Sequence, residues 1–392
     1  MQAEDLHIVV FGSVAHDQMV QRAHQMTWAL RDAGCHVVYV DPPEHLMTPR
    51  PLRGRADRRT GMPQMFEGVP IVSIPRFHLA GLNFSFAPFL LRERNVPRYL
   101  LRALGRSTDG GSARVAVVQN PLQVTHIPFG LFDAVVYDCL DDYRVVTEDE
   151  TGEMRPLLLA LLERVDGVFV TSKTLEDQMH FSLKRQVPVV RIPNGVNDGW
   201  FLRQALEQSP PPELAALPGP IIGYVGGIYQ WIDLELVIGV ARRRPRYSFV
   251  LVGPSSEEAR QLLADRPENL TVIDEVPYER VPSFINAFAV GMIPFNGGAI
   301  ADTTDPIKLY EYFTLGRPVV ATPMRQLEDY ALESLVWIGA SADEFAVALD
   351  RALKDHSIDH AQSRVALARS HSWAAQAARA VDALVGILTP HP

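Results

Sequence analysis

Residues 302–322 read DTTDPIKLYEYFTLGRPVVAT. The stretch parses as a loop, a short helix, a glycine stop and a buried strand. Asp305 and Pro306 are expected as N-cap and first helical residue, because an aspartate can accept from orphan amides and a proline needs no amide there. Gly316 falls where a helix end adopts the left-handed conformation, and Pro318 blocks continuation. Val319, Val320 and Ala321 make an apolar run suited to a strand covered on both faces.

Lys308 is the unusual residue. It lies in the first turn, where the helix dipole is positive and a cation is disfavoured. A cation beside free amides makes an anion site. Glu311, three residues on, shares the helix face and is placed to reach a pair of hydroxyls. The alternative is a solvated lysine with a glutamate partner. The reading carried forward is a phosphate at Lys308 and a sugar hydroxyl at Glu311.

Working outward, strands alternate with helical patterns. In the second half, strands are expected at 221–225, 248–252, 270–273, 289–293, 318–321 and 335–338. In the first half they are expected at 7–12, 36–40, 70–74, 114–118, 134–137, 167–171 and 188–192. Apolar positions Met19, Ala23, Met26 and Leu30 give one buried helical stripe between the first two strands, a βαβ unit. The fold class is therefore α/β, with two Rossmann-like, doubly wound domains. Prolines 210, 211, 212 and 218 mark a linker, and the expected division is 1–199, a linker at 200–219, 220–370, and a C-terminal helix at 371–392 that crosses back to the first domain. In such sheets ligands bind at the carboxyl ends of strands. Gly226, Gly227 and Tyr229 follow one strand of the second domain, and Val276 and Tyr278 follow another, so both lie on the rim that holds Lys308 and Glu311.

Composition narrows the class. A net charge of −9 argues against a dedicated nucleic-acid binder. The charge is uneven: between Arg50 and Arg106 stand 11 arginines against three acids, a local +8 that leaves −17 elsewhere. Arg92, Arg94 and Arg98 sit there among Phe84, Phe86 and Phe89, a pattern that fits an anionic membrane surface as well as arginine stems covering apolar neighbours. Two cysteines without metal or disulfide spacing, no leader-like start and no apolar run near 20 residues suggest the cytoplasm, peripherally on the inner face of the cell membrane. The loop after the first strand has no G-x-G-x-x-G, which weighs against a dinucleotide oxidoreductase.

On the first domain's side, Asp141 and Asp142 follow a buried strand at the ligand edge, where a base would serve an acceptor hydroxyl; strand end plus helix cap is the alternative. His16, on the first loop, competes for the same role.

The second domain resembles the donor-binding half of GT-B glycosyltransferases, closest to the family 4 type. The resemblance rests on GYVGG at 223–227, the VPY turn at 276–278 and DPIKLYEYFTLGRPVVAT. PNGV at 193–196 and SxxL at 172–175 support it. QRAHQMTWAL and VVYDCLDDY in the first domain resemble bacterial members associated with cell-surface polysaccharide. The resemblance implies a nucleotide-diphosphate sugar as donor substrate, with no cofactor, and a glycan or lipid-linked acceptor; no D-x-D follows a strand, so no metal is expected. It places the base near Val276, ribose hydroxyls on Glu311, and the donor around Asp305, Ile307 and Lys308. It favours retention of the anomeric configuration; an inverting enzyme would use Asp141 or Asp142 as base. Two departures stand out. The usual Arg and Lys after the second domain's first strand are replaced by Tyr229, Gln230, Trp231 and Asp233. Thr303 stands where an acidic residue usually precedes Glu311, leaving Asp302 or Asp305 as stand-ins. Lys308 is thus left as the main cation for the leaving diphosphate, with Arg22 as a helper. The missing basic pair also keeps open a non-catalytic sugar-binding or assembly protein.

Overall fold

The computed structural model describes residues 1–16, 20–42, 64–72, 112–142, 154–355 and 357–389. The chain divides into two compact units: Met1–Thr171 with Leu175–Ile192 and Gln376–Pro392, and Ser172–Thr174 with Pro193–Ala375. Arg92, Arg94 and Arg98, and nearly all of the arginine-rich segment, lie outside the described residues.

In the first unit, valine-rich runs give an eight-stranded sheet. Its strands are β1 (Leu6–Phe11), β2 (His36–Val40), β3 (Gln64–Phe66), β4 (Val69–Val72), β5 (Ala113–Val118), β6 (Ala134–Cys139), β7 (Gly167–Val170) and β8 (Val189–Arg191), in the order β3-β4-β2-β1-β5-β6-β7-β8. All pair in parallel except β3 with β4. Those two form a hairpin through Glu67 and Gly68, both at positive φ, as a two-residue type I′ turn requires. Strand β3 falls where the sequence reads as an irregular excursion. The strand order reverses between β1 and β5, so the loops after those strands open the crevice where doubly wound sheets hold ligands.

The second unit is a six-stranded, wholly parallel sheet: β9 (Ile221–Val225), β10 (Ser248–Val252), β11 (Leu270–Ile273), β12 (Val290–Ile293), β13 (Val319–Ala321) and β14 (Val336–Ile338). The order β11-β10-β9-β12-β13-β14 is that of a dinucleotide-binding sheet, with its reversal between β9 and β12. Strands β9, β10, β12 and β13 are buried almost throughout, which explains their unbroken apolar sequences.

Two local expectations change. Residues expected as a linker instead begin with a helix, Asp198–Glu207, whose Phe201 lies in the second unit's core and whose Ala205 is buried. Asn197 caps it, accepting from the Trp200 amide at 3.3 Å. The prolines that suggested a linker come only after it. The last helix, Trp373–Leu388, starts in the second unit and from Gln376 onward belongs to the first. There Ile387 lies so close to Gly167 that a Cβ on that glycine would stand 2.4 Å from it.

Candidate active site

The helix of the opening stretch runs Ile307–Thr314. Its end is built as expected. Gly316 has φ +65°, its amide donates to Phe313, and the Arg317 amide donates to Tyr312, the paired bonds of a Schellman motif. Its start is not. Pro306 occupies the N-cap and has no side chain to cap with, while Asp305 lies one residue outside. The Asp305 carboxylate is buried and already engaged: Oδ2 accepts from the Asn194 amide at 2.6 Å, and Oδ1 accepts from the Tyr310 hydroxyl at 2.8 Å. Asn194 Nδ2 also donates to the Asp305 carbonyl at 2.6 Å. Asp305 thus ties the PNGV segment to the helix start rather than capping it, a tertiary partnership that outcompetes the local one.

Lys308 does not sit on the surface. Its stem is partly buried and its Nζ lies 5.3 Å from the centre of the Tyr224 ring at the end of β9. Among the described residues it makes no hydrogen bond or ion pair. Burial pulls its ammonium below the ordinary lysine range, with Glu311 pulling the other way. Glu311 is 7% exposed, and its Oε1 accepts from the Tyr278 hydroxyl at 3.1 Å. Burial raises its carboxyl above the ordinary range, against the lowering influence of Lys308 and of that hydrogen bond. An ammonium and a carboxylate therefore influence each other electrostatically without forming an ion pair.

The glycines of GYVGG make room for this. Gly226 follows β9 at φ +141°, and a Cβ there would stand 2.3 Å from Lys308 Cε. Gly253 follows β10 at φ +143°, and its Cβ would meet the Gly226 carbonyl at 2.2 Å. Both positions need the absence of a side chain. Gly227 serves Tyr229 similarly, at 2.3 Å, and Tyr229 packs edge-on against Trp231.

The segment where the resemblance leads one to expect a basic pair is structural here. Asp233 caps the helix Leu234–Arg243, its Oδ1 accepting from the Leu236 amide at 2.8 Å. The Asp233 amide donates to the Pro294 carbonyl and the Asn296 amide to the Trp231 carbonyl, both at 2.8 Å. The loops that flank the β9–β12 reversal are thereby laced together. Thr303 is buried at the end of a short helix, Ala299–Thr303, where its carbonyl accepts from Ser172 Oγ at 2.7 Å. Asp302 is exposed on that helix. Val276 and Ile307 are half-buried beside the same rim, Val276 packing on the core.

In the first unit, His16 follows β1 at the other reversal point. Its amide donates to Asp41 Oδ1 at 2.9 Å, and its Nδ1 lies 2.8 Å from Asp41 Oδ2. With the carboxylate accepting, Nδ1 carries a proton. Arg22 is 4% exposed and pairs with Asp138 on β6 at 3.1 Å, where Gln119 also donates at 3.1 Å. Burial of that guanidinium without a carboxylate would be costly. Asp142 is buried and Asp141 half-buried just after β6. Asp41, Tyr224, Trp200 and Asn194 were given no role from sequence. PNGV was visible as a motif, but nothing in it points to Asp305.

Two doubly wound units in tandem define the GT-B class of fold. Residues 219–355, most of the second unit, match the family model described as glycosyl transferases group 1. The whole chain is similar in fold to a trehalose-6-phosphate structure from E. coli with bound UDP-2-fluoro glucose, at TM-score 0.69 and 12% identity over 99% of both chains. It is also similar to sucrose-phosphate synthase from Thermosynechococcus elongatus, at 0.69 and 16% identity over 99% of both. A curated relative, the putative teichuronic acid biosynthesis glycosyltransferase TuaH of Bacillus subtilis, is 23% identical over 261 residues, 62% of this chain. The match spans 64% of that relative's length. No helix among the described residues is long and apolar enough to cross a membrane.

Proposed function

We propose that the protein moves a sugar from a nucleoside-diphosphate sugar to a glycan or lipid-linked acceptor in the synthesis of a surface polysaccharide. The observation that carries this reading is Lys308: a half-buried ammonium with no hydrogen-bonding partner among the described residues, beside a buried Glu311, at the strand-order reversal of a parallel sheet. Glycosyl transfer builds positive charge on the sugar ring and negative charge on the departing diphosphate. An ammonium whose ionised form is strained by burial gains most from an arriving anion, and the uncapped start of the Ile307–Thr314 helix adds its amides. Glu311 then accepts from ribose hydroxyls through the oxygen that Tyr278 does not use. Positive charge from the chain itself makes the reaction independent of a metal, so chelation by EDTA should leave transfer unchanged.

Retention at the anomeric carbon is the stereochemistry we favour, following the family 4 resemblance, and the anomeric proton coupling of the product tests it. On the acceptor side, the His16–Asp41 pair supplies a base whose proton position is held by a carboxylate, and Asp141 and Asp142 line the neighbouring strand end. The local +8 of residues 50–106 supports a peripheral position on an anionic membrane face. The deciding experiment replaces Lys308 by alanine. Loss of transfer by about 100- to 1000-fold with an unchanged melting profile is expected. Unchanged turnover would remove the diphosphate assignment and leave a sugar-binding protein as the better description.

A further inference from the structure

Trp200 opens a helix that carries no chemistry of its own, yet its ring lies flat on Tyr278. The centroids are 5.2 Å apart and the planes differ by 6°. Tyr278 in turn donates to Glu311 Oε1. At the far side, Trp200 is three residues past the Asn197 cap, and the Asn194 that precedes it is bonded twice to Asp305. Asp305 lies two residues before the helix that bears Glu311. Three side-chain contacts, Asp305 with Asn194, Trp200 with Tyr278 and Tyr278 with Glu311, are thus joined by two short stretches of chain, 194–200 and 305–311. We infer that Trp200 is a positioning residue for nucleotide recognition, holding the Tyr278 ring so that its hydroxyl fixes one oxygen of Glu311 and presents the other to the ribose of a nucleoside diphosphate.

This rests on the donor-site reading above. The physical argument is geometric. The tyrosine hydroxyl has one proton to give, and its direction is set by the ring plane. A ring stacked on an indole is held against rotating away, because an offset aromatic pair is favourable beyond its buried area. A glutamate has three side-chain torsions, so an oxygen fixed from outside the helix removes conformations that would otherwise compete with ribose. The groups facing Glu311 are Lys308 on its own helix, Tyr278 from the turn after β11, Tyr224 from β9, and Tyr312. Of these, the only one bonded to its carboxylate is Tyr278.

The test compares the tightest binder among UDP, ADP, GDP and CDP with its 2′,3′-dideoxy counterpart, and with inorganic pyrophosphate, by calorimetry. Wild-type protein is expected to prefer the ribose form by about 10- to 100-fold, the range for hydrogen bonds to a charged group. Trp200→Leu and Tyr278→Phe should each reduce that preference to about threefold or less while pyrophosphate affinity holds. Trp200→Phe, which restores a stacking ring, should recover most of it. In a Glu311→Gln background Trp200→Leu should change nothing further. If wild type prefers ribose and Trp200→Leu keeps the preference, or if the variant weakens all three ligands alike, the inference is overturned while the donor-site reading stands. If wild type does not distinguish the two nucleotides, the Glu311 assignment falls and this inference with it.

Discussion

Replacing Gly226 by alanine separates two effects that coincide at one residue. The backbone there has φ +141°, a conformation that strains a residue with a Cβ by about 1–3 kcal/mol. The new methyl would also stand 2.3 Å from Lys308 Cε and 2.7 Å from its Nζ. Those atoms are the far end of a flexible side chain, so the lysine yields rather than the sheet. Stability should fall by the backbone term alone, about 1–3 kcal/mol in a denaturant titration. The displaced ammonium should lose one charge-assisted bond to the diphosphate, about 1.5–3 kcal/mol, or roughly 10- to 150-fold in affinity for a nucleoside diphosphate. Gly297→Ala is the control, because a Cβ there meets nothing within 4 Å. The double variant Gly226→Ala/Lys308→Ala completes a cycle. If Gly226→Ala acts through Lys308, its effect on affinity should vanish once the lysine is gone, whereas its effect on stability should persist. Additive losses of affinity would refute the reasoning, since they would mean that the glycine shapes the site independently of the ammonium.

Other outcomes follow from the same structure. The Glu311 carboxyl titrates above the ordinary range, so the ratio of ribose to dideoxy affinity should fall as pH is lowered through that raised value, and should be flat in Glu311→Gln; taking the ratio cancels titration of the phosphate. Arg364 is 1% exposed and paired with Asp355 under the Trp337 ring, so Asp355→Ala strands a buried charge and should lower stability by about 3–5 kcal/mol. Burial pushes the Cys35 thiol up to about 11 and Cys139 up to about 12, so both should resist a thiol reagent until the protein unfolds. Binding to anionic vesicles should be salt-sensitive and should drop when Arg92, Arg94 and Arg98 are neutralised; salt-independent binding would argue against a headgroup contact.

What could be read ahead of the structure depended on how local each interaction is. The Gly316 stop and the β13 strand were legible because a Schellman motif is written in consecutive residues and a doubly covered strand is apolar at every position. The Asp305 cap was misread because its carboxylate goes to Asn194, more than a hundred positions earlier, and no spacing rule records that. The helix Asp198–Glu207 was hidden by the prolines that follow it, and β3 is three residues long in a stretch whose composition reads as irregular. Lys308 and Glu311 were visible as a pair, but their burial was not. It follows from the Tyr224 ring and from the two left-handed glycines, which belong to other strands.

That burial explains why the site is built from charges that do not bond each other. The Glu311 proton is held more tightly in the fold than in the unfolded chain, so its contribution to stability falls as pH rises from 4.5 through its raised value. The Lys308 proton is held less tightly, so its contribution recovers only as pH rises from its lowered value towards 10.5. Burial thus disfavours the charged form of each group in the empty site. A direct ion pair would relieve them. On the donor-site reading proposed above, a nucleoside diphosphate would relieve both at once, with phosphate oxygens at one end and ribose donors at the other. Binding energy would then be available to the nucleotide that neither inorganic phosphate nor a nucleoside could release in full. The two halves of the ligand should accordingly bind cooperatively: pyrophosphate should tighten nucleoside binding in wild type, and that coupling should disappear when either Lys308 or Glu311 is replaced.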